Sequence, residues 1–132
     1  MASRTIDAAH LKLHYPLKEL TIDSDDEAEM LIRSAALLDD GEAEGLVLAA
    51  LRGCCFCSDD AVVHRAARDL GLTVKILSTP EILLLWAGND DDRLHQLPGI
   101  VARISELARF TPHKNSQHLA WWRRHLAAAK NT

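Results

Sequence analysis

At 132 residues the chain has room for one domain, and 48% apolar with 26% charged residues is the composition of a folded protein, not a disordered one. A formal net charge of −4 excludes a uniformly basic binder of nucleic acid or membrane surfaces, and no apolar run approaches the ~20 residues of a membrane span. Cys54, Cys55 and Cys57 lie within four positions, which is not an extracellular disulfide framework, so a cytoplasmic setting is expected.

The first twenty residues carry little pattern, and Pro16 breaks any helix there. Ser24-Asp25-Asp26-Glu27 reads as a capping box, with a helix to about Leu38 that places Leu31, Ala35 and Leu38 on one face. Gly41 interrupts the chain, and Glu42 to Arg52 forms a second helix stopped by Gly53. Cys54-Cys55-Phe56-Cys57 is too short for a helix and fits a buried strand, which makes its cysteines small packed residues. Zinc ligation is the alternative, but no second ligand pair stands at the right spacing. Ser58 or Asp59 caps a helix from about Asp60 to Leu70, ended by Gly71. Leu72 to Leu77 alternates as a second strand. Thr79-Pro80 starts a helix to Ala87, with Trp86 in the core or at an interface. After the polar turn Asn89–Asp92, two amphipathic helices are expected at about Gly99–Phe110 and Gln117–Ala129. Strand–helix–strand–helix implies a parallel pair, and sites in such sheets form at the carboxyl ends of the strands, where Asp59 and Asp60 stand.

Charge is unevenly distributed. Residues 1–66 carry 13 acids and 6 bases, whereas residues 67–132 carry 6 acids and 9 bases. The last thirty residues hold Lys114, Arg123 and Arg124 among six bases against one acid, Glu106. Such a tail either keeps helix faces solvated or holds a polyanion near an acidic site. In Trp121-Trp122-Arg123-Arg124-His125 the adjacent tryptophans point about 100° apart, so one packs inward and the helix anchors the C-terminus; base stacking is the other reading. His64, one turn beyond the acidic pair, reads as a surface histidine or a general base.

Three blocks within residues 38–88 carry a family resemblance. Leu38-Asp39-Asp40-Gly41-Glu42-Ala43-Glu44-Gly45-Leu46 resembles the "GEAEA" helix start of PIN-domain proteins. Cys57-Ser58-Asp59-Asp60, with Arg65-Ala66-Ala67-Arg68 and Gly71-Leu72, resembles their "TDDRAAR…GL" strand–turn–helix. Leu77-Ser78-Thr79-Pro80-Glu81-Ile82-Leu83-Leu84 resembles their "GTLGLLL" segment. The resemblance implies a three-layer α/β/α fold around a central parallel sheet, and the metal-dependent ribonuclease chemistry of the toxins in bacterial toxin–antitoxin pairs. It implies RNA rather than DNA as the nucleic acid.

Glu42, Asp59 and Asp60 match the family's acidic positions and are the expected catalytic and Mg²⁺ or Mn²⁺ ligands. Hard divalent cations prefer carboxylate oxygens, and a bound ion activates water and offsets phosphodiester charge. Each acid also has a plain role as a helix cap or first-turn charge. Lys114, Arg123 and Arg124 would contact RNA phosphates. The family pattern opens with an apolar strand ending in Asp. Here only Thr5-Ile6-Asp7 could supply it, no apolar run precedes Asp7, and Ala61 stands where an Arg follows the acidic pair. The chain therefore reads as an N-terminally truncated PIN-like fold. A sheet without its first strand has an open edge, so a homodimer or an antitoxin-like protein partner is expected, and the non-catalytic module is the alternative to the ribonuclease.

Overall fold

A computed structural model describes residues 8–131. Thr5-Ile6-Asp7 lies outside the described residues. Helix α1 (Ala8–His14) stops just before Pro16, as the ring requires. In α2 (Asp25–Ser34) the Ser24 side chain accepts the N–H of Glu27 at 3.2 Å. The return half of the box reaches one residue further back, to the N–H of Asp23 at 3.0 Å, a position from which Glu27 also meets Arg52. The helix ends four residues before Leu38 because Ser34 turns its hydroxyl onto the carbonyl of Met30, and the Leu37 and Leu38 amides both fold back onto the Ser34 carbonyl.

Helix α3 (Asp40–Arg52) begins before Gly41, which corrects the expected interruption there. Asp39 caps it by accepting the N–H of Glu42 at 2.9 Å, so the glycine sits in a capped first turn. Gly53 closes it at φ +68°, a conformation that costs glycine little. Strand β1 (Phe56–Cys57) pairs in parallel with β2 (Ile76–Leu77), Phe56 opposite Ile76 and Cys57 opposite Leu77. Between them runs α4 (Ala61–Asp69), capped by Asp60. Both strands are shorter than their apolar patterns, yet Leu72, Val74 and Ile76 still pack on the core as that alternation predicts.

Helix α5 (Thr79–Ala87) follows with a complete capping box of Ser78 and Glu81. Helix α6 (Asp91–Leu107) starts eight residues earlier than Gly99. Asp90 caps it, and the helix runs through Pro98, which lacks the N–H that would meet Leu94. Helix α7 (Leu119–Lys130) packs back along α6. The fold is thus α/β, mostly helical, with a two-stranded parallel sheet among the described residues.

Leu38, Ala43, Leu46, Val63, Ala66 and Ala67 form a buried cluster, on which Phe56 and Ile76 pack from one face of the sheet. A second buried group, Leu97, Val101 and Trp122, joins α6 to α7. None of the described helices is long and apolar enough to cross a membrane.

Candidate functional site

The two strands end side by side, and the chemistry-bearing residues collect at those ends. Asp59 follows β1 and accepts twice from Thr79 at the start of α5. The Thr79 N–H donates to Oδ1 at 2.7 Å and its hydroxyl to Oδ2 at 2.6 Å. Both carboxylate oxygens therefore tie the exit of one strand to the helix that leaves the other. Asp60 turns the opposite way in role, accepting the Val62 N–H at 2.9 Å as the cap of α4.

Glu42, half-buried in the first turn of α3, faces the charges of Asp39 and Asp60. Burial first, then those two negative neighbours, hold its carboxyl above the ordinary glutamate range. The geometry thus brings Glu42 and Asp60 into one electrostatic neighbourhood and commits Asp59 to Thr79. Oxygen donors of this kind suit Mg²⁺ or Mn²⁺. Among the described residues no three His, Cys, Asp or Glu side chains stand together as a ready-made metal site.

Beside Asp59 lies a 270 Å³ cavity lined by Ser78, Pro80, Phe110, Pro112, His113 and Ser116. Glu81 is held below its ordinary range by hydrogen bonds from the Ser78 side chain and backbone, with smaller help from His118 and His64. The loop before α7 therefore approaches the acidic strand ends through His113. Lys114 follows it, exposed, and Arg123 and Arg124 are exposed on α7. His125 is half-buried, and burial with the nearby Arg124 lowers its pKa. Trp122 packs fully inward and Trp121 is half-buried, matching the reading of an anchoring helix. Trp86 is half-buried under the guanidinium of Arg93, 5.4 Å from its ring centre.

The cysteines differ from expectation: Cys54, Cys55 and Cys57 are all exposed free thiols. Phe56 packs on the core cluster, and Cys57 lies on the other face of the two described strands, exposed although its register partner Leu77 is buried. Sequence reasoning also missed the principal ion pair. Arg52 donates to both oxygens of the buried Glu27, at 2.8 and 3.1 Å, and to the Thr21 carbonyl at 2.6 Å. That bidentate partner holds the Glu27 carboxyl down to about 2. The only signal for it was an acid in a capping box and a base at the end of the next helix.

Comparison with protein-family models, with curated proteins and with solved structures gives no match for this chain.

Proposed function

We propose that the chain is a PIN-like, non-catalytic module of the cytoplasm that associates with a second copy of itself. The order of α3 bearing Glu42, β1 ending at Asp59-Asp60, α4, β2 and α5 supports the PIN-like part of this reading. The observation that carries the association is α5. Leu85 is 65% exposed, and Ile82 and Leu84 are 37% and 40% exposed on the same nine-residue helix. Ile82 and Leu85 are one turn apart on a shared face, and neighbouring apolar side chains left in water are the usual mark of a protein contact. Among the described residues no strand pairs with the other edge of β1, which adds to it. Phe56 and Ser58 donate to the carbonyls of Lys75 and Leu77, so in a parallel ladder the main chain of Cys57 faces outward.

Light scattering of the fully reduced chain tests this. A dimer that becomes a monomer in Leu85→Glu is expected, and a native monomer at tens of micromolar removes the proposal.

A metal-dependent ribonuclease is the second reading, favoured by the grouping of Glu42 with Asp39 and Asp60; burial first, and then the repulsion of these two acids that a divalent cation would relieve, raises the Glu42 pKa. Glu42, Asp59 and Asp60 would hold Mg²⁺ or Mn²⁺, with Lys114, Arg123 and Arg124 on phosphate. RNA cleavage that needs Mn²⁺, stops with EDTA and is lost in the Asp59→Asn plus Asp60→Asn variant supports it. Absence of cleavage, or cleavage indifferent to both, removes it.

A further inference from the structure

The cavity beside Asp59 carries charge of one sign. Asp59 is the acid in its lining, and among the described residues no Lys or Arg lines it. Thr79 donates once to each Asp59 oxygen, which leaves lone pairs on both for another donor. Asp59 forms no ion pair among the described residues. A second carboxylate lies behind the wall, where the Ser78 hydroxyl donates to Glu81 at 2.8 Å and helps to hold its carboxyl ionised. The rest of the lining is largely apolar. Pro80 and Pro112 are buried, and Phe110 is half-buried with its ring set edge to face against Trp122. Thr111 and Ser116 add hydroxyls, of which Ser116 already accepts the His118 N–H at 3.1 Å.

We propose that this cavity binds a small primary amine carried on a single apolar ring. An ammonium group has three N–H donors. Asp59 accepts one in a charge-assisted bond, and the Thr111 and Ser116 oxygens offer acceptors for the others. The ring displaces water from Pro80, Phe110 and Pro112.

Size and charge select this class. At 270 Å³ the cavity lies just under the ~300–1,000 Å³ of pockets for drug-sized ligands, so it suits one ring rather than an extended chain. An anion would meet Asp59 with no cation in the lining to offset the repulsion. A neutral ring would gain the apolar contact and forfeit the charge-assisted bond. The site needs neither a second copy of the chain nor a metal ion, so it stands or falls apart from both functional readings.

Amide NMR spectra of the native full-length chain, titrated with benzylamine in the presence of EDTA, test the proposal. Saturable shifts centred on the amides of Asp59, Ser78, Thr79, Thr111, His113 and Ser116 are expected. Benzyl alcohol has nearly the same shape without the charge and should bind about tenfold more weakly, the worth of one hydrogen bond to a charged group at an exposed site. Asp59→Asn should weaken benzylamine by a similar factor. His113→Lys, which leaves the bonds between Asp59 and Thr79 in place and adds a cation to the lining, should weaken it as well. Circular dichroism checks that both variants keep the fold. Equal binding of benzylamine and benzyl alcohol overturns the proposal, as do shifts centred elsewhere or an unresponsive spectrum at millimolar benzylamine. Shifts of the same amides with MgCl₂ in place of EDTA, and none with benzylamine, overturn it in favour of a metal ion at Asp59.

Discussion

Gly45 faces the ring of Phe56 so closely that a Cβ at this position would stand 2.5 Å from Cε2. The helix α3 can lie on β1 only because no side chain intervenes. Gly45→Ala forces the ring or the helix to move, and overpacking of this kind costs about 1–3 kcal/mol. Urea unfolding should show that loss, and adding Phe56→Leu should recover part of it, since a smaller side chain makes room for the methyl group. At Glu27 the controlling quantity is charge. Its folded pKa of about 2 lies below the ordinary 4.5, so the fold favours the ionised form. The resulting stability is complete above pH 4.5 and is lost as pH falls toward 2. Urea midpoints of the native chain and Glu27→Gln should therefore differ most near neutral pH and converge in acid. A gap that stays constant down to pH 2 contradicts the assignment of Arg52 as the cause.

The elements are joined by a few polar clamps at their ends. Asp59 reaches from β1 to the first residue of α5, and Arg93 reaches from α6 back to the Trp86 carbonyl at 2.8 Å. The Asp59 clamp sets where α5 leaves the sheet. Asp59→Ala should cost about 1–2 kcal/mol, near the lower end of the ~1.5–3 kcal/mol of a hydrogen bond to a charged group because the site is exposed. Thr79→Val should cost less, and the double variant should cost less than the sum, because both changes break one interaction. Asp60→Ala, which removes a separate cap, should instead add to Asp59→Ala. Caps are the features most legible in the sequence: Ser24, Thr79-Pro80 and Gly53 each mark an element boundary through local bonding of short polar side chains or a left-handed turn, whereas α4 is capped by Asp60 and not by the expected Ser58 or Asp59. The start of α6 was missed because Pro98-Gly99 reads as a beginning, whereas Asp90 caps the helix upstream and packing of Leu97 and Val101 carries it through the proline. The site was legible in its acids but not in their partners. Nothing in the spacing of Asp59 and Asp60 says that one meets Thr79, twenty residues on, and the other Glu42. The cysteines mislead because an apolar run predicts burial, whereas only Phe56 of this run packs on the core and all three thiols are exposed.

Across the whole molecule, two packed groups share the chain. Helices α2, α3 and α4 with the sheet close over Leu46 and Val63, and α6 with α7 closes over Trp122. Helix α5 stands between them, leaving the sheet at one end and packing on α6. The division also runs through the charge, since the acidic first half supplies most of the sheet layer and the basic second half supplies α6 and α7. Trp122 is the centre of the second group. It is fully buried, its Nε1–H donates to Ser105 at 2.8 Å, and it meets Phe110 edge to face at 5.2 Å. Trp122→Ala removes all three and should cost about 3–5 kcal/mol. A group held by its own centre should loosen first around that centre. Native-state hydrogen exchange of this variant should therefore lose protection in α6 and α7 while α2 and α3 retain most of theirs. An even loss across all helices would mean that α5 couples the two groups into one cooperative unit. Trp122→Phe separates packing from bonding, because it keeps most of the ring and loses the bond to Ser105. It should reproduce the same pattern at a smaller amplitude.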